Sequence, residues 1–271
     1  MDKIERALAG KRIIVTRAAE QAQELVHALE RLGAEVLLLP TIRFAAASDW
    51  RIFDAALKKI AEFDWILFTS QNAVRFVCQH IRESGVGCEL VQSPKPLVAT
   101  VGPATARAAT TEGLRVDHVG KNHTGEALVC EIAGLIHERK VLLPRSNRGD
   151  DRLVKALRQA GALLTEFVAY RAAAPDTLDP VVLSRLRNAE VDAIIFASPS
   201  AFDNLSSFVG SGELSRISKR VQFAAIGPTT ARALRETGIR PAIEAGESSA
   251  AGLAEALAKY YQRKRTAVRH T

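Results

Sequence analysis

Ser70, Gln71 and Asn72 follow one apolar run of this chain, and Ser198 and Ser200 follow another that is nearly its copy. Gly102 with Thr105, and Gly227 with Thr229 and Thr230, follow two further runs in the same way. Hydroxyls and a glycine directly after a strand, where a helix begins, have a specific use. Glycine turns the chain sharply and lets a ligand reach the backbone, and the free N–H groups of a helix start favour anions. Pro103, Pro199 and Pro228 fit the first helical positions, where a missing N–H is no loss. Any one of these hydroxyls could serve only as a helix cap; four such turns in two matched pairs point to a ligand. Arg17 and Arg145 close the first apolar run of each half. The guanidinium fork suits a carboxylate or phosphate, although an ion pair with a neighbouring acid would occupy it equally well. Tyr170 is one of three tyrosines. Its phenol could donate a proton if it faces a cleft, or pack against a domain edge.

These residues belong to a repeat. Val101-Gly102-Pro103-Ala104-Thr105-Ala106-Arg107-Ala108 returns as Ile226-Gly227-Pro228-Thr229-Thr230-Ala231-Arg232-Ala233, 125 residues later. Phe63-Asp64-Trp65-Ile66-Leu67-Phe68-Thr69-Ser70 returns as Val191-Asp192-Ala193-Ile194-Ile195-Phe196-Ala197-Ser198, and Leu25-Val26-His27-Ala28-Leu29 as Leu153-Val154-Lys155-Ala156-Leu157, both 128 residues later. A unit of this size is a domain and not a solenoid repeat. Two similar domains facing one another would make a cleft.

Arg12–Arg17 reads as a buried parallel strand, followed by a helix whose Ala22, Leu25, Val26, Leu29 and Leu32 share one stripe and which Gly33 ends. Strands at 65–69, 97–101, 193–197 and 222–226 each lead into a helix. The expected fold is α/β: two similar domains with parallel sheets covered by helices on both faces. Ligands of such sheets bind beyond the carboxyl ends of the strands, where the duplicated polar residues fall.

Residues 35–47 and 163–175 are too long for one strand each and align at the same offset. If both cross between domains, residues 48–162 form a domain inserted into an outer one made of 1–34 and 176–260. A plain tandem with its boundary near 138 would also satisfy the periodicity. Residues 261–271 are expected to be a disordered basic tail.

The net charge of +7 in 271 residues is concentrated at that end: Lys259, Arg263, Lys264, Arg265 and Arg269 supply most of it. A short basic terminus is weak evidence for nucleic acid, and aromatics do not interleave with bases elsewhere. No run approaches a membrane span, and the N-terminus is not a secretory signal. Cys78, Cys88 and Cys130 are odd in number and lack metal-ligand spacing, so a reducing cytoplasm is expected. The six histidines are scattered; His118 and His123 read as solvated loop residues. Neither a Gly-x-Gly-x-x-Gly turn after the first strand nor a Walker loop is present. Dinucleotide, nucleoside triphosphate and metal chemistry are disfavoured; no cofactor and no metal are expected.

The blocks Phe68-Thr69-Ser70-Gln71-Asn72-Ala73-Val74, Phe196-Ala197-Ser198-Pro199-Ser200-Ala201 and Ala225-Ile226-Gly227-Pro228-Thr229-Thr230-Ala231-Arg232-Ala233-Leu234 resemble uroporphyrinogen-III synthase. So do Ile14-Val15-Thr16-Arg17 and Val168-Ala169-Tyr170-Arg171, and the resemblance runs from about residue 11 to 258. It implies two α/β domains, one inserted in the other, joined by a two-stranded linker. It also implies a monomeric lyase without cofactor. The substrate would be hydroxymethylbilane, a linear tetrapyrrole with eight carboxylates, closed to uroporphyrinogen III with inversion of ring D and loss of water. The path would run through an azafulvene and a spiro intermediate in the interdomain cleft. Tyr170 matches the family tyrosine proposed to assist departure of the hydroxyl, and Thr105, Ser198, Ser200, Thr229 and Thr230 match polar positions lining the cleft. The chain departs from the pattern at Ala104, which stands where the second copy has Thr229, and at Ser248 and Ser249. A non-catalytic two-domain binding protein for an acidic small molecule is the alternative.

Overall fold

Short strands of four residues recur through the chain, and Arg12–Val15, Trp65–Phe68, Leu97–Thr100, Ala193–Phe196 and Gln222–Ala225 are buried because helices cover both faces of the sheets they form. The computed structural model describes residues 6–85 and 94–268. It divides into two units, Met1–Arg43 with Ala173–Thr271 and, inserted between them, Phe44–Ala172.

The discontinuous unit holds β1 (Arg12–Val15), β2 (Glu35–Leu38), β9 (Ala193–Phe196), β10 (Gln222–Ala225) and β11 (Ile243–Glu244). They lie in the order β11-β10-β9-β1-β2, and the pairs β1–β2, β1–β9, β9–β10 and β10–β11 are parallel. Alternation along each strand sends side chains to opposite faces. Ile13, Val15 and Ile195 pack beneath α1 (Ala19–Arg31) and α11 (Ala250–Val268). Ile14, Ile194, Phe196 and Phe223 pack beneath α7 (Pro180–Arg187), α8 (Pro199–Val209), α9 (Ser211–Ile217) and α10 (Pro228–Glu236). Gly33 follows α1 with φ +86°, a left-handed turn that a side chain would strain.

The inserted unit holds β3 (Arg43–Ala46, whose first residue is the boundary), β4 (Trp65–Phe68), β5 (Leu97–Thr100), β6 (His118–Val119), β7 (Lys140–Ser146) and β8 (Leu163–Ala173), in the order β3-β8-β7-β4-β5-β6. Ile66, Phe68 and Leu142 face α2 (Arg51–Leu57) and α3 (Gln71–Ser84), while Trp65, Leu67, Val141 and Leu143 face α5 (Gly125–Ile136) and α6 (Asp151–Gln159). Helix α4 (Pro103–Thr111) follows β5. Without β3, this strand order repeats that of the other sheet element for element, with β7, β4 and β5 standing for β1, β9 and β10. The duplication seen in the residues is therefore a duplication of topology.

The two long extended segments differ from one another. Residues 35–47 break into β2 in one sheet and β3 in the other, with Pro40 between them, whereas 163–173 is one uninterrupted strand. The expected disordered tail is a correction: α11 continues to Val268. Tyr261 is 5% exposed and donates to the Asp192 carbonyl at 2.9 Å, so the apolar stripe that begins at Leu253 extends past the point where the sequence turns basic. Cys78 is buried and Cys130 exposed, both as free thiols. Cys88 and Arg269 lie outside the described residues. Among the described residues no helix is long and apolar enough to cross a membrane.

Candidate functional site

In the discontinuous unit the strand order is that of a doubly wound sheet whose connections reverse between β1 and β9. The carboxyl ends of such a pair form the natural ligand position. Thr16 and Arg17 end β1, and Ser198 follows β9. Thr16 is fully buried and its hydroxyl donates to the Ile195 carbonyl at 2.7 Å, tying the two strand ends together. Arg17 is half-buried and makes no hydrogen bond or ion pair among the described residues. Ser198 caps α8, its Oγ accepting the Ala201 N–H at 3.2 Å, and Ser200 lies half-buried in the first turn. One strand further, Gly227 precedes α10. Thr229 is exposed on that helix's first turn and Thr230 is 3% exposed.

The inserted unit repeats this arrangement with different chemistry. Ser70 caps α3, its Oγ accepting the Ala73 N–H at 3.1 Å. The same Oγ lies 3.0 Å from the Tyr170 hydroxyl. Tyr170 is 8% exposed, stacked on Phe76 at 5.7 Å and edge-on to Phe44 at 5.8 Å, so its ring cannot swing freely. Gln71 is exposed beside the cap, and Asn72 is 6% exposed beneath it. Gly102 precedes α4, and Thr105 in the first turn is 5% exposed. Five residues expected from sequence (Ser70, Asn72, Tyr170, Gly102 and Thr105) thus lie near the carboxyl ends of β8, β4 and β5, with β7 between β8 and β4, or on the helix starts that follow them.

Arg145 does not match its partner. Its guanidinium bonds Glu166 at 2.7 Å, Asp151 at 2.8 Å and the Gly149 carbonyl at 2.5 Å. Burial disfavours its charge, but the two carboxylates outweigh that and hold its pKa above the ordinary value. Three of its five N–H donors are thus held by partners within the fold, which sets Arg145 apart from Arg17.

Two residues were missed. A Cβ on Gly102 would run into the imidazole of His123, and a Cβ on Gly227 into the hydroxyl of Ser248. His123 and Ser248 are themselves 125 residues apart, as Gly102 and Gly227 are, and Thr124 and Ser249 behind them each accept a helix-start N–H, from Ala127 and Gly252. The step already established by the Gly-Pro blocks could have found them. His123 sits at φ +55°, a left-handed conformation rare outside glycine, and is exposed. Each Gly-Pro turn is thus overlaid by one polar side chain, an imidazole in one unit and a hydroxyl in the other.

A sequence model of the uroporphyrinogen-III synthase HemD family matches residues 23–259. The chain belongs to that family. It is 31% identical over 266 residues to the uroporphyrinogen-III synthase of Synechococcus elongatus, covering 94% of this chain and 97% of that one. It is 30% identical over 253 residues to the enzyme of the same name from Chlorobaculum parvum, covering 91% and 99%. Among solved structures, the uroporphyrinogen-III synthetase of Helicobacter pylori superposes with a TM-score of 0.59 at 17% identity, covering 95% of this chain and 99% of that one. A mutant uroporphyrinogen III synthase of Thermus thermophilus gives 0.55 at 22%, covering 97% and 100%. At these identities the structures speak for the fold. The family model spans every strand but β1, and all four polar turns lie within it.

Proposed function

We propose that the chain is a uroporphyrinogen-III synthase, a cyclising lyase that converts hydroxymethylbilane to uroporphyrinogen III with loss of water and inversion of ring D. The observation that carries this is the pair of topologically matched sheets, each followed by one serine-capped helix start, at Ser70 and Ser198, and one glycine-proline helix start, at Gly102-Pro103 and Gly227-Pro228. Such turns present free N–H groups to anions, and the substrate carries eight carboxylates. Arg17 adds one guanidinium with no bonded partner among the described residues. Gln71, Asn72, Ser200, Thr105, Thr229 and Thr230 supply further polar groups, together with the backbone at Gly102 and Gly227.

The reaction starts when the C–O bond of the hydroxymethyl group breaks. The electron pair leaves with oxygen, which takes a proton and departs as water, and loss of the pyrrole N–H proton leaves an azafulvene. The substituted α-carbon of ring D attacks the azafulvene methylene and gives a spiro intermediate. Its older bond, to the methylene from ring C, then breaks to a second azafulvene, which bonds to the free α-carbon of ring D with loss of that carbon's proton, so the ring is inverted as the macrocycle closes. Every step is redox-neutral, so the chemistry calls for no cofactor. The linear substrate can also close unaided without inversion, so holding one folded conformer is the larger part of the task. Tyr170 is the proposed proton donor to the departing hydroxyl. Ser70 Oγ lies 3.0 Å from the phenol oxygen, a hydrogen bond in which either hydroxyl can donate, and holds that oxygen in place.

Chromatographic separation of the uroporphyrin I and III isomers formed from hydroxymethylbilane tests this reading. Isomer III is expected. Isomer I alone, in the presence of folded protein, would overturn it and leave a binding protein for an acidic small molecule.

A further inference from the structure

Phe53 and Leu57 of helix α2 form a face buried in the core. Ile52 and Ala55 lie one turn apart beside that face, where Ile52 remains 54% exposed, and Lys59 follows two residues beyond the helix end. Across a cavity of about 830 Å³ this side of the helix faces Leu163, Leu164 and Thr165, the first residues of β8, and Leu163 is 56% exposed. The cavity lies at the amino end of the sheet, where β7 and β8 begin, away from Ser70 and Tyr170 at the strands' carboxyl ends. Its volume falls within the range of ligand sites, and wet apolar walls of this kind are costly to leave uncovered.

The strand offers backbone as well as side chains. On one edge β8 pairs with β7 from Leu163 to Tyr170. On the other it meets β3, which has four residues and reaches β8 in its second half, where the Ala47 N–H donates to the Ala169 carbonyl. The Leu163 N–H is taken by the Arg139 carbonyl on the β7 side. The two-residue period of a parallel ladder therefore turns the N–H and C=O of Leu164 and Glu166 to the uncovered edge. Charge is placed unevenly along the groove. Lys140 bonds Glu62 at 2.7 Å and Arg158 bonds Glu166 at 3.0 Å. Lys59 influences Glu62 only at a distance and has no bonded acid among the described residues.

We propose that this groove takes up an extended peptide of another protein, added as a strand along the Leu164–Glu166 edge. Its alternate apolar side chains sit against Ile52, Ala55 and Leu163, and one of its carboxylates meets Lys59. Main-chain bonds to an open edge supply affinity in this mode, and the pockets for alternate side chains supply selection.

The test uses the full chain and two fluorescein-labelled peptides of alternating valine and threonine, one ending in aspartate and the other in asparagine amide, followed by fluorescence anisotropy. The acidic peptide is expected to bind about tenfold tighter. Lys59→Glu should erase that preference and Ile52→Lys should weaken both peptides; both side chains are exposed, so thermal melting should not change. Hydrogen exchange should slow at the amides of Leu164 and Glu166 when the acidic peptide binds. Absence of binding, equal affinity for both peptides in the wild type, or unprotected amides at those two residues overturns the proposal. Uptake of laurate with no peptide binding overturns it too, assigning the groove to a free amphiphile.

Discussion

Tyr170 and Ser70 lie 100 residues apart in sequence, and their hydroxyls are 3.0 Å apart. The serine is already engaged as the cap of α3, accepting the Ala73 N–H at 3.1 Å, so its position is set by the helix and the phenol is set by the serine. If the phenol delivers the proton in water loss, Tyr170→Phe should lower kcat by about 100-fold, the lower end of what general-acid assistance supplies. The fold should survive, because the ring keeps its stacking on Phe76. Single-turnover measurements with hydroxymethylbilane would show this. Unchanged turnover would remove Tyr170 from the chemistry. Ser70→Ala should cost about 1 kcal/mol of stability through the lost cap. In the Tyr170→Phe background it should leave kcat almost where the first substitution put it.

Arg17 and Arg145 occupy equivalent positions and should respond oppositely. Arg17→Ala removes a guanidinium without bonded partners among the described residues, so KM should rise about tenfold while the melting temperature stays unchanged. Arg145→Ala strands Asp151 and the Gly149 carbonyl and takes one of two arginine partners from Glu166. It should destabilise by about 2 kcal/mol, the cost of deleting a charged hydrogen-bonding partner. Urea unfolding beside steady-state kinetics separates the two. Loss of stability in Arg17→Ala, or a pure KM effect in Arg145→Ala, would reverse the assignment.

How much of this was legible in the sequence depends on what kind of information each residue carries. Ser70 and Ser198 were legible because a helix start is a local event: hydroxyl, then helix, directly after an apolar run. Gly102 and Gly227 were legible because the repeat marks them twice. The partners of Arg145 were not legible, because Glu166 is brought to it only when β7 pairs with β8. His123 was passed over because it was read as a solvated loop residue, when it lies against Gly102. The basic end beyond Ala258 was read by charge, although Leu253, Leu257 and Tyr261 keep the four-residue spacing of a buried helix face. Charge on an exposed face says little about whether the opposite face is packed.

Gly102 and His123 form a steric pair, and this gives a reciprocal test. Gly102 has φ 176°, extended backbone open to any residue, so alanine there carries no backbone strain. Its Cβ would still displace the imidazole, whose far end can move. Gly102→Ala should therefore fold normally and raise KM a few-fold, roughly 1 kcal/mol of lost transition-state binding. If the displaced ring is the cause, adding His123→Ala should bring no further loss. An additive loss in the double variant would show that the glycine itself, as a point of close backbone approach, matters more than the ring.

Asp64 and Asp192 are the duplicated acids, and both work at the amino ends of the sheets. Asp192 accepts the Arg12 N–H at 2.9 Å and the Lys11 ammonium at 2.6 Å; Asp64 accepts the Lys140 N–H at 3.1 Å and the Lys95 ammonium at 3.0 Å. Burial works against the Asp64 charge, but Lys95, the Lys140 N–H and Arg139 outweigh it, and its pKa lies below the ordinary value. A carboxyl whose folded pKa is depressed contributes stability above its unfolded value, about 3.9, and loses it as pH falls through the folded one. Urea unfolding free energies should thus fall below about pH 4 in the wild type. Asp64→Asn should be less stable by about 1–2 kcal/mol at pH 7 and decline less steeply over that acid range. Parallel pH profiles for the two proteins would show that the acid sensitivity arises elsewhere.

The C-terminal helix supplies the last prediction, because its basic end is also a packed one. Tyr261 is 5% exposed beside Leu257, its hydroxyl donates to the Asp192 carbonyl at 2.9 Å, and the Lys11 ammonium lies 5.1 Å from its ring centre. Arg265 reaches back to the carbonyls of Arg6 and Ala7. The helix therefore closes the start of β1 from outside. Tyr261→Ala should cost about 3 kcal/mol, as for other buried aromatics, and lower the melting temperature by roughly 6–12 °C in a chain of this size. Removing everything after Ala258 should do at least as much. Arg263→Ala, on the exposed side, should change the melting point by under about 1 °C. Differential scanning calorimetry of the three variants decides between a packed helix and a loose basic arm. A truncated chain that melts with the wild type would show that the arm is dispensable and that its charge, not its packing, needs an explanation.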